Sequence, residues 1–487
     1  MASGVEAPVY PESEVEAPSP PVDSEVLATL VRSDLKGAEA LDLSAAMTLA
    51  LKNNYTRKIS EENVASARAA VEQARGPVLP QLAVGVNYQQ VNENQSAVEA
   101  GFTAESQTAL SFTASQMIYD DDRVSALRST RREFEAVEKS DQSVALDIVE
   151  QAGLAYVRVL SVASTLEIAE DNLRITRENL ELARIRREVG TSGPEEVLRF
   201  ESEEAQQESE LWSVRNRLHA AMNTLNQVLG ESPDRSWKLE DLSLTSEIFR
   251  TSLSGLLPLA RGETESNQFR QASIEYALAR SPEIASLNFS ASAQEIQLDE
   301  SRRSFFVPDV NASFEYNRIL DSEYSSTAFG GAEEDEDTWI FLLSASLPLF
   351  EGGSRFGDIR AARAGLRSLE WQEARLKQTL STRVSNGLSA MASSWQSIRL
   401  SRIASERADA NLQIVQDKYE QGSVSIVDLL DAQNNALVQR LTASIDRYRF
   451  FQDLLSFQRS LSWMEPLADE ESREEFADGF KARLSDS

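Results

Sequence analysis

Two carboxylates three residues apart, Asp428 and Asp431, follow a Gly-Ser turn at the start of a long helical pattern. The i, i+3 spacing puts both on one helix face. Two kinds of chemistry fit. Acids in a first helical turn are stabilised by the helix dipole, which is a local effect. Repeated around a symmetry axis, the same pair would make a ring of negative charge that attracts cations. The residues alone leave both readings open. Little else in the chain suggests chemistry. It has no cysteine, so disulfides, thiolate metal sites and cysteine nucleophiles are excluded. Its single histidine, His219, lies on a helix between Arg217 and Ala220 and reads as a surface residue. One histidine cannot build a multi-histidine metal site within one chain. The acidic run Glu333 to Asp337 lacks EF-hand spacing and reads as a solvated loop. Asp120-Asp121-Asp122 reads as a helix cap. No phosphate loop, HExxH or dinucleotide fingerprint occurs. No enzyme activity and no cofactor are therefore expected.

The elements that position the acidic pair are long helices. Gly and Pro are sparse, 20 and 14 among 487 residues, while Ala, Leu, Glu, Gln and Arg abound. Asp122 to Val189 holds no proline, enough for a helix roughly 100 Å long. Gly190-Thr191-Ser192-Gly193-Pro194 then turns the chain, with Pro194 placed at a first helical position. Gly422-Ser423-Val424-Ser425 is the matching turn 232 residues later. Leu79-Pro80-Gln81-Leu82 matches Val307-Pro308-Asp309-Val310 at an offset of 228, and Tyr88 matches Tyr316. A nearly constant offset makes the chain a tandem repeat of helix, strand pair, very long helix, turn and return helix. The first helix is expected over Leu43 to Arg75 and its counterpart over Ser273 to Phe305. The first long helix has two apolar seams. One runs through Val159, Val162, Leu166, Ala169, Leu173, Thr176, Leu180 and Ala183, and the other through Leu154, Val157, Ile168, Ile175, Leu182 and Val189. A helix with two seams packs on both sides, as a stave does. Trp212, Trp371 and Trp395 are expected as anchors between helices.

The strands, about 79–90, 106–119, 307–318 and 338–350, alternate apolar and small polar residues. Leu82, Val84, Val86 and Tyr88 form one row; Leu110, Phe112, Ala114 and Ile118 form the next. Val310, Ala312, Phe314 and Tyr316 form the third, and Trp339, Phe341, Leu343, Ala345 and Leu347 the fourth. These lengths suit tilted membrane-spanning strands. Four strands cannot close a barrel, and open edges are not tolerated in lipid. Assembly is therefore required, and three chains would supply twelve strands. The fold class expected is mainly α, a long helical barrel plus a transmembrane β-barrel closed in a homotrimer. With 48 basic and 78 acidic residues the net charge is −30, which disfavours a nucleic-acid partner. No run of about 18 apolar residues suggests a transmembrane helix. Residues 1–38 read as a disordered acidic arm, without the basic start and apolar core of a signal peptide. The two repeats are expected over 39–230 and 271–463, separated by an equatorial segment at 231–270. An acidic tail covers 464–487.

These residues resemble the TolC-like outer-membrane efflux protein family. The resemblance runs from about Leu41 to Trp463. It is carried by Leu43 to Asn54 with Leu79-Pro80-Gln81-Leu82, by Leu347-Pro348-Leu349-Phe350-Glu351-Gly352-Gly353, and above all by the stretch from Tyr419 to Ala432. It implies a trimeric duct that spans the outer membrane and continues as a helical tunnel through the periplasm. It also implies the passive exit of a tripartite efflux pump or type I secretion system. The implied partners are a periplasmic adaptor, an inner-membrane RND or ABC transporter, and outer-membrane lipid. Gly190, Gly193, Pro194, Gly422 and Ser423 would lie in the periplasmic tips that adaptors contact. Asp428 and Asp431 match acidic positions lining the constriction. Tyr419 matches a gate tyrosine, and Glu196 lies where the type member has its acidic gate partner. Where the type member has a gate arginine this chain has Val424, so the latch must differ. Packing of Val424 or a basic group such as Arg187 is left to replace it. The rival from another class is a soluble coiled-coil scaffold.

Overall fold

The computed structural model describes residues 39–92, 98, 104–255, 263–324 and 336–486. The arm at 1–38, most of both hairpin loops, and residues 333–335 of the acidic run lie outside the described residues. The first repeat contains β1 (Glu39–Leu41), α1 (Leu43–Asn53), α2 (Tyr55–Arg75), β2 (Gln81–Gln90), β3 (Ser106–Tyr119), α3 (Asp121–Glu188) and α4 (Pro194–Leu229). An equatorial stretch follows with β4 (Trp237–Leu239) and α5 (Arg250–Gly255). The second repeat contains α6 (Glu263–Arg280), α7 (Pro282–Arg303), β5 (Asp309–Glu323), β6 (Asp337–Ser346), α8 (Ser354–Glu420) and α9 (Ile426–Ser460). The C-terminal tail forms α10 (Glu470–Asp486).

Helices α3 and α8, 68 and 67 residues long, run the length of the helical part. Above the equator the helices stand in the order α2, α3, α7, α8; below it the order is α4, α3, α9, α8. The seam expected on α3 is buried at Val159, Val162, Leu173, Thr176, Leu180 and Ala183. The second seam is only partly covered in one chain, and Val189 is exposed. One stretch of α3 is apolar enough in length and composition to cross a membrane, contrary to the sequence expectation. Its residues Ile148, Val149, Ala152, Tyr156, Val157 and Val159 pack into the equatorial core instead.

Each repeat's first helix is divided, where the sequence suggested continuous ones. Asn54 breaks α1 from α2. Its side-chain oxygen accepts from Thr56 N (2.8 Å) and Arg57 N (3.3 Å), replacing the lost helical bonds. Its amide donates to Val228 O at the end of α4 (2.8 Å), so α4 and α2 meet end to end. Gly230 closes α4 in a left-handed conformation, and a Cβ there would lie 2.5 Å from Asn53 O. Ser281, followed by Pro282, makes the equivalent break between α6 and α7.

The second junction is ionic. Arg459, 3% exposed at the end of α9, pairs with Asp147 (2.7 Å) and with Glu283 in the first turn of α7 (2.6 Å). Burial opposes ionisation of Glu283, but the Ser281 hydroxyl and Arg459 outweigh it and hold its carboxyl at about 2. The stability this supplies is present above the ordinary value of 4.5 and is lost as pH falls toward 2. Replacing Arg459 with Met should cost about 3–5 kcal/mol, because two carboxylates lose their shared partner. Denaturant unfolding at pH 7 and pH 3 should show a smaller acid-induced loss in the variant than in the parent. Equal stability at pH 7 would contradict this role.

Glu465, fully buried, forms a further equatorial knot. Its carboxylate accepts from Thr251 N (2.6 Å) and Ser252 N (3.0 Å) in the first turn of α5. Nearby, Trp463 stacks on Phe476 of α10 with ring centroids 3.8 Å apart. β1 and β4 pair in parallel beside this core.

The four long strands form one antiparallel sheet in the order β2-β3-β5-β6. Val84 faces Phe112, Phe112 faces Tyr316, and Tyr316 faces Trp339, so one apolar row crosses the sheet. The next row is Leu82, Ala114, Phe314 and Phe341. Three details differ from expectation. A register shift between Met117 and Tyr119 pairs Tyr119 with Val310 and leaves Ile118 as the extra residue of a bulge. β6 ends at Ser346, short of Leu347 and Pro348, because proline cannot donate to the ladder. On β6 the opposite face also carries large apolar residues, Ile340 and Leu342, so its alternation is incomplete.

Candidate functional site at the helical tips

Both helical hairpins turn on a left-handed glycine. Gly190 has φ 76° and Gly422 has φ 73°. At the first, Thr191 N donates to Arg186 O (2.9 Å) and Gly190 N to Arg187 O (3.1 Å). At the second, Ser423 N donates to Lys418 O (2.8 Å) and Gly422 N to Tyr419 O (2.9 Å). This is the Schellman arrangement, which satisfies carbonyls a helix end leaves free. No atom lies within 4 Å of a Cβ built at either glycine, so backbone conformation alone demands glycine there. Gly193 precedes α4 as its cap and Pro194 is its first residue.

Just inside the turns sits a separate apolar core of Leu180, Ala183, Val197, Phe200, Leu412, Tyr419 and Leu429, with small alanines between them. Tyr419 is fully buried in it. Its hydroxyl donates to Glu196 Oε2 at 2.8 Å, linking α8 to α4. Phe200 meets its ring edge-on at 6.4 Å. The Arg186 guanidinium lies 4.5 Å from the ring centroid and also donates to the Tyr419 carbonyl oxygen. Burial, then the bond to Glu196, pushes the Tyr419 hydroxyl upward, so it stays protonated and donating. Tyr419 and Glu196, paired by resemblance, are thus in contact. Val424 packs against the same core. The basic group at this junction is Arg186, one residue before Arg187, which is exposed. Sequence reading missed Arg186 because its partner lies 233 residues away.

Above this core, α3 and α9 meet through polar contacts. Gln433, 3% exposed, donates to Thr176 Oγ1 (2.6 Å) and Asn172 Oδ1 (3.2 Å) and accepts from Asn179 (3.4 Å). Arg440 pairs with Asp409 (2.7 Å) and Asp171 (2.9 Å). Thr176, the one hydroxyl in an otherwise apolar seam, was the visible signal of this network.

Asp428 and Asp431 are both exposed on the same side of α9, opposite buried Leu429. Asp428 also completes a capping box: its carboxylate accepts from Ser425 N (3.0 Å) while Ser425 Oγ accepts from Asp428 N (3.3 Å). These bonds from the Ser425 hydroxyl and backbone hold the Asp428 carboxyl below its usual value. Within one chain, Asp428 therefore serves the start of α9, while the Asp431 carboxylate stands exposed beside it.

The outer membrane efflux protein family model matches residues 46–231 and 273–461, both repeats. The chain belongs to the outer membrane efflux protein family. It is 24% identical over 412 residues to the toluene efflux pump outer membrane protein TtgF of Pseudomonas putida, covering 82% of this chain and 78% of that one. It is 24% identical over 442 residues to the outer membrane protein TolC of Escherichia coli, covering 88% and 83%. Among solved structures, VceC from Vibrio cholerae superposes with a TM-score of 0.71 at 18% identity, covering 86% of this chain and 96% of that one. CusC superposes equally, at 19% identity over 87% and 93%. The chain is an efflux channel component of the outer membrane, and a soluble scaffold is set aside.

Proposed function

We propose that three copies of this chain close a twelve-stranded barrel in the outer membrane, continuous with a helical tunnel whose tips gate it from the periplasm. The observation that carries this is the four-stranded sheet. It exposes apolar rows, and β2 and β6 stand at its edges without further strand partners among the described residues. In lipid, neither edge can remain unpaired. Threefold symmetry then brings six carboxylates, Asp428 and Asp431 of each copy, toward one axis. The contacts of Tyr419 with Glu196 and Arg186 tie α8 to the first-repeat hairpin and would hold the tips shut. The duct is passive, so energy comes from an inner-membrane RND or ABC transporter coupled through a periplasmic adaptor. Exported molecules leave through the lumen, without a cofactor. The tip turns at Gly190, Gly193, Pro194, Gly422 and Ser423 are where the adaptor docks.

Gly422→Val tests the tips. A β-branched residue at this φ costs on the order of 1–3 kcal/mol of local strain. Assembly, seated in the barrel and equator, should survive, while adaptor crosslinking and export should fall several-fold. Undiminished crosslinking and export would refute the tip assignment.

A further inference from the structure

Helices α2 and α8 end the four-helix row above the equator, and each presents an unpartnered edge. On α2 that edge carries Ile59, 62% exposed, with Glu62 and Ser66. On α8 it carries Trp371, 75% exposed, with Arg360 and Arg367. None of the three charged residues Glu62, Arg360 and Arg367 makes an ion pair among the described residues. Helix α8 also exposes Phe356 (62%), Leu400 (58%) and Ile414 (54%), and a set of large apolar residues this exposed needs a cover.

The tandem repeat shows what that cover is. Within one chain, α3 and α7 pack antiparallel, with Ser143 bonded to Glu283 and Asp121 to Arg303. Helix α8 is the repeat of α3, and α2 is the repeat of α7. The glycine turns place the long helices 232 residues apart, and the cap residues Asn54 and Ser281 place the short ones 227 apart. Ser143 then corresponds to Arg375, and Glu283 to Thr56. Transferring the α3–α7 register sets Ile59 level with Trp371 and Glu62 with Arg367, each within about half a helical turn. One match joins apolar to apolar and the other acid to base.

We infer that α8 of one copy packs antiparallel on α2 of the next in this register, with Trp371 on Ile59 and the Arg367–Glu62 pair between copies. The inference rests on the trimeric reading above and specifies its seam.

The cysteine-free chain permits a direct test. Ser66 and Ala364 are both exposed and fall opposite each other in this register. Protein carrying Ser66→Cys and Ala364→Cys, extracted in detergent and treated with a short bismaleimide, should give covalent trimers. Co-expressed single-cysteine chains should give dimers only, and either single variant alone should give none. Ala136→Cys with Ser286→Cys, across the seam inside one chain, is the positive control, since Ser286 Oγ lies 2.8 Å from Ala136 O. Light scattering on the same samples separates the failures. Three-copy particles that cross-link in the control but not between copies overturn the seam and leave the channel reading standing. Single-copy particles overturn both. In parallel, Glu62→Arg should reduce the SDS-resistant trimer several-fold and Arg367→Glu should restore it in the double variant; no restoration would overturn the Glu62–Arg367 pairing.

Discussion

Removing Arg186 and the Tyr419 hydroxyl together should open the helical tips without dissociating the assembly. The variant is Arg186→Ala with Tyr419→Phe. Phenylalanine keeps the ring against Phe200 and the tip core, so only the links to Glu196 and the first-repeat hairpin are lost. A hydrogen bond to a charged group contributes about 1.5–3 kcal/mol, and a cation over an aromatic face about 0.5–2 kcal/mol. Loss of both should shift the balance toward the open state by at least about 2 kcal/mol per chain, roughly thirtyfold. In the proposed trimer three such tips meet at one mouth, so their effects should compound. Single-channel conductance in a planar bilayer should rise several-fold, and the Tyr419→Phe single variant should give a smaller rise. Unchanged conductance in the double variant would mean these contacts only stabilise one chain's hairpins.

Neutralising the acidic pair should weaken cation block at least about tenfold. Asp428→Asn with Asp431→Asn is the informative variant, since asparagine retains an acceptor for Ser425 N and so spares the capping box. In the proposed trimer, confinement would leave the field of six carboxylates poorly screened. The parent channel should prefer cations and be blocked from the periplasmic side by hexamminecobalt. Each lost close charge contact is worth about 1 kcal/mol at high effective dielectric, so block should weaken by at least about tenfold. If the acids serve only the start of α9, block affinity stays the same in intact assemblies of both proteins.

The parts of this structure legible in the sequence are those with strong local signals. Gly190 and Gly422 announce the tip turns because a left-handed residue strongly favours glycine. The period of two in Leu82 to Tyr88 announces a strand with one apolar face. The break at Asn54 was not legible, since the helical pattern continues across it and the deciding contact, to Val228 O, comes from 174 residues away. The alternation read in β6 is incomplete, because Ile340 and Leu342 on its opposite face are apolar too. At the site, Tyr419 and Glu196 were reached through resemblance alone. Arg186 escaped because periodicity reports which face a residue occupies, not which distant ring it covers. Trp371 was expected as an anchor between helices; within one chain it is exposed, and the repeat supplies the helix that would cover it.

The most direct test of the account is the mass of the protein extracted from the outer membrane in detergent, measured by light scattering with the detergent contribution subtracted. The account predicts a monodisperse particle of three chains, because only closure satisfies the edges of β2 and β6 in lipid. A monodisperse single chain, equally stable in buffer without detergent, would contradict it.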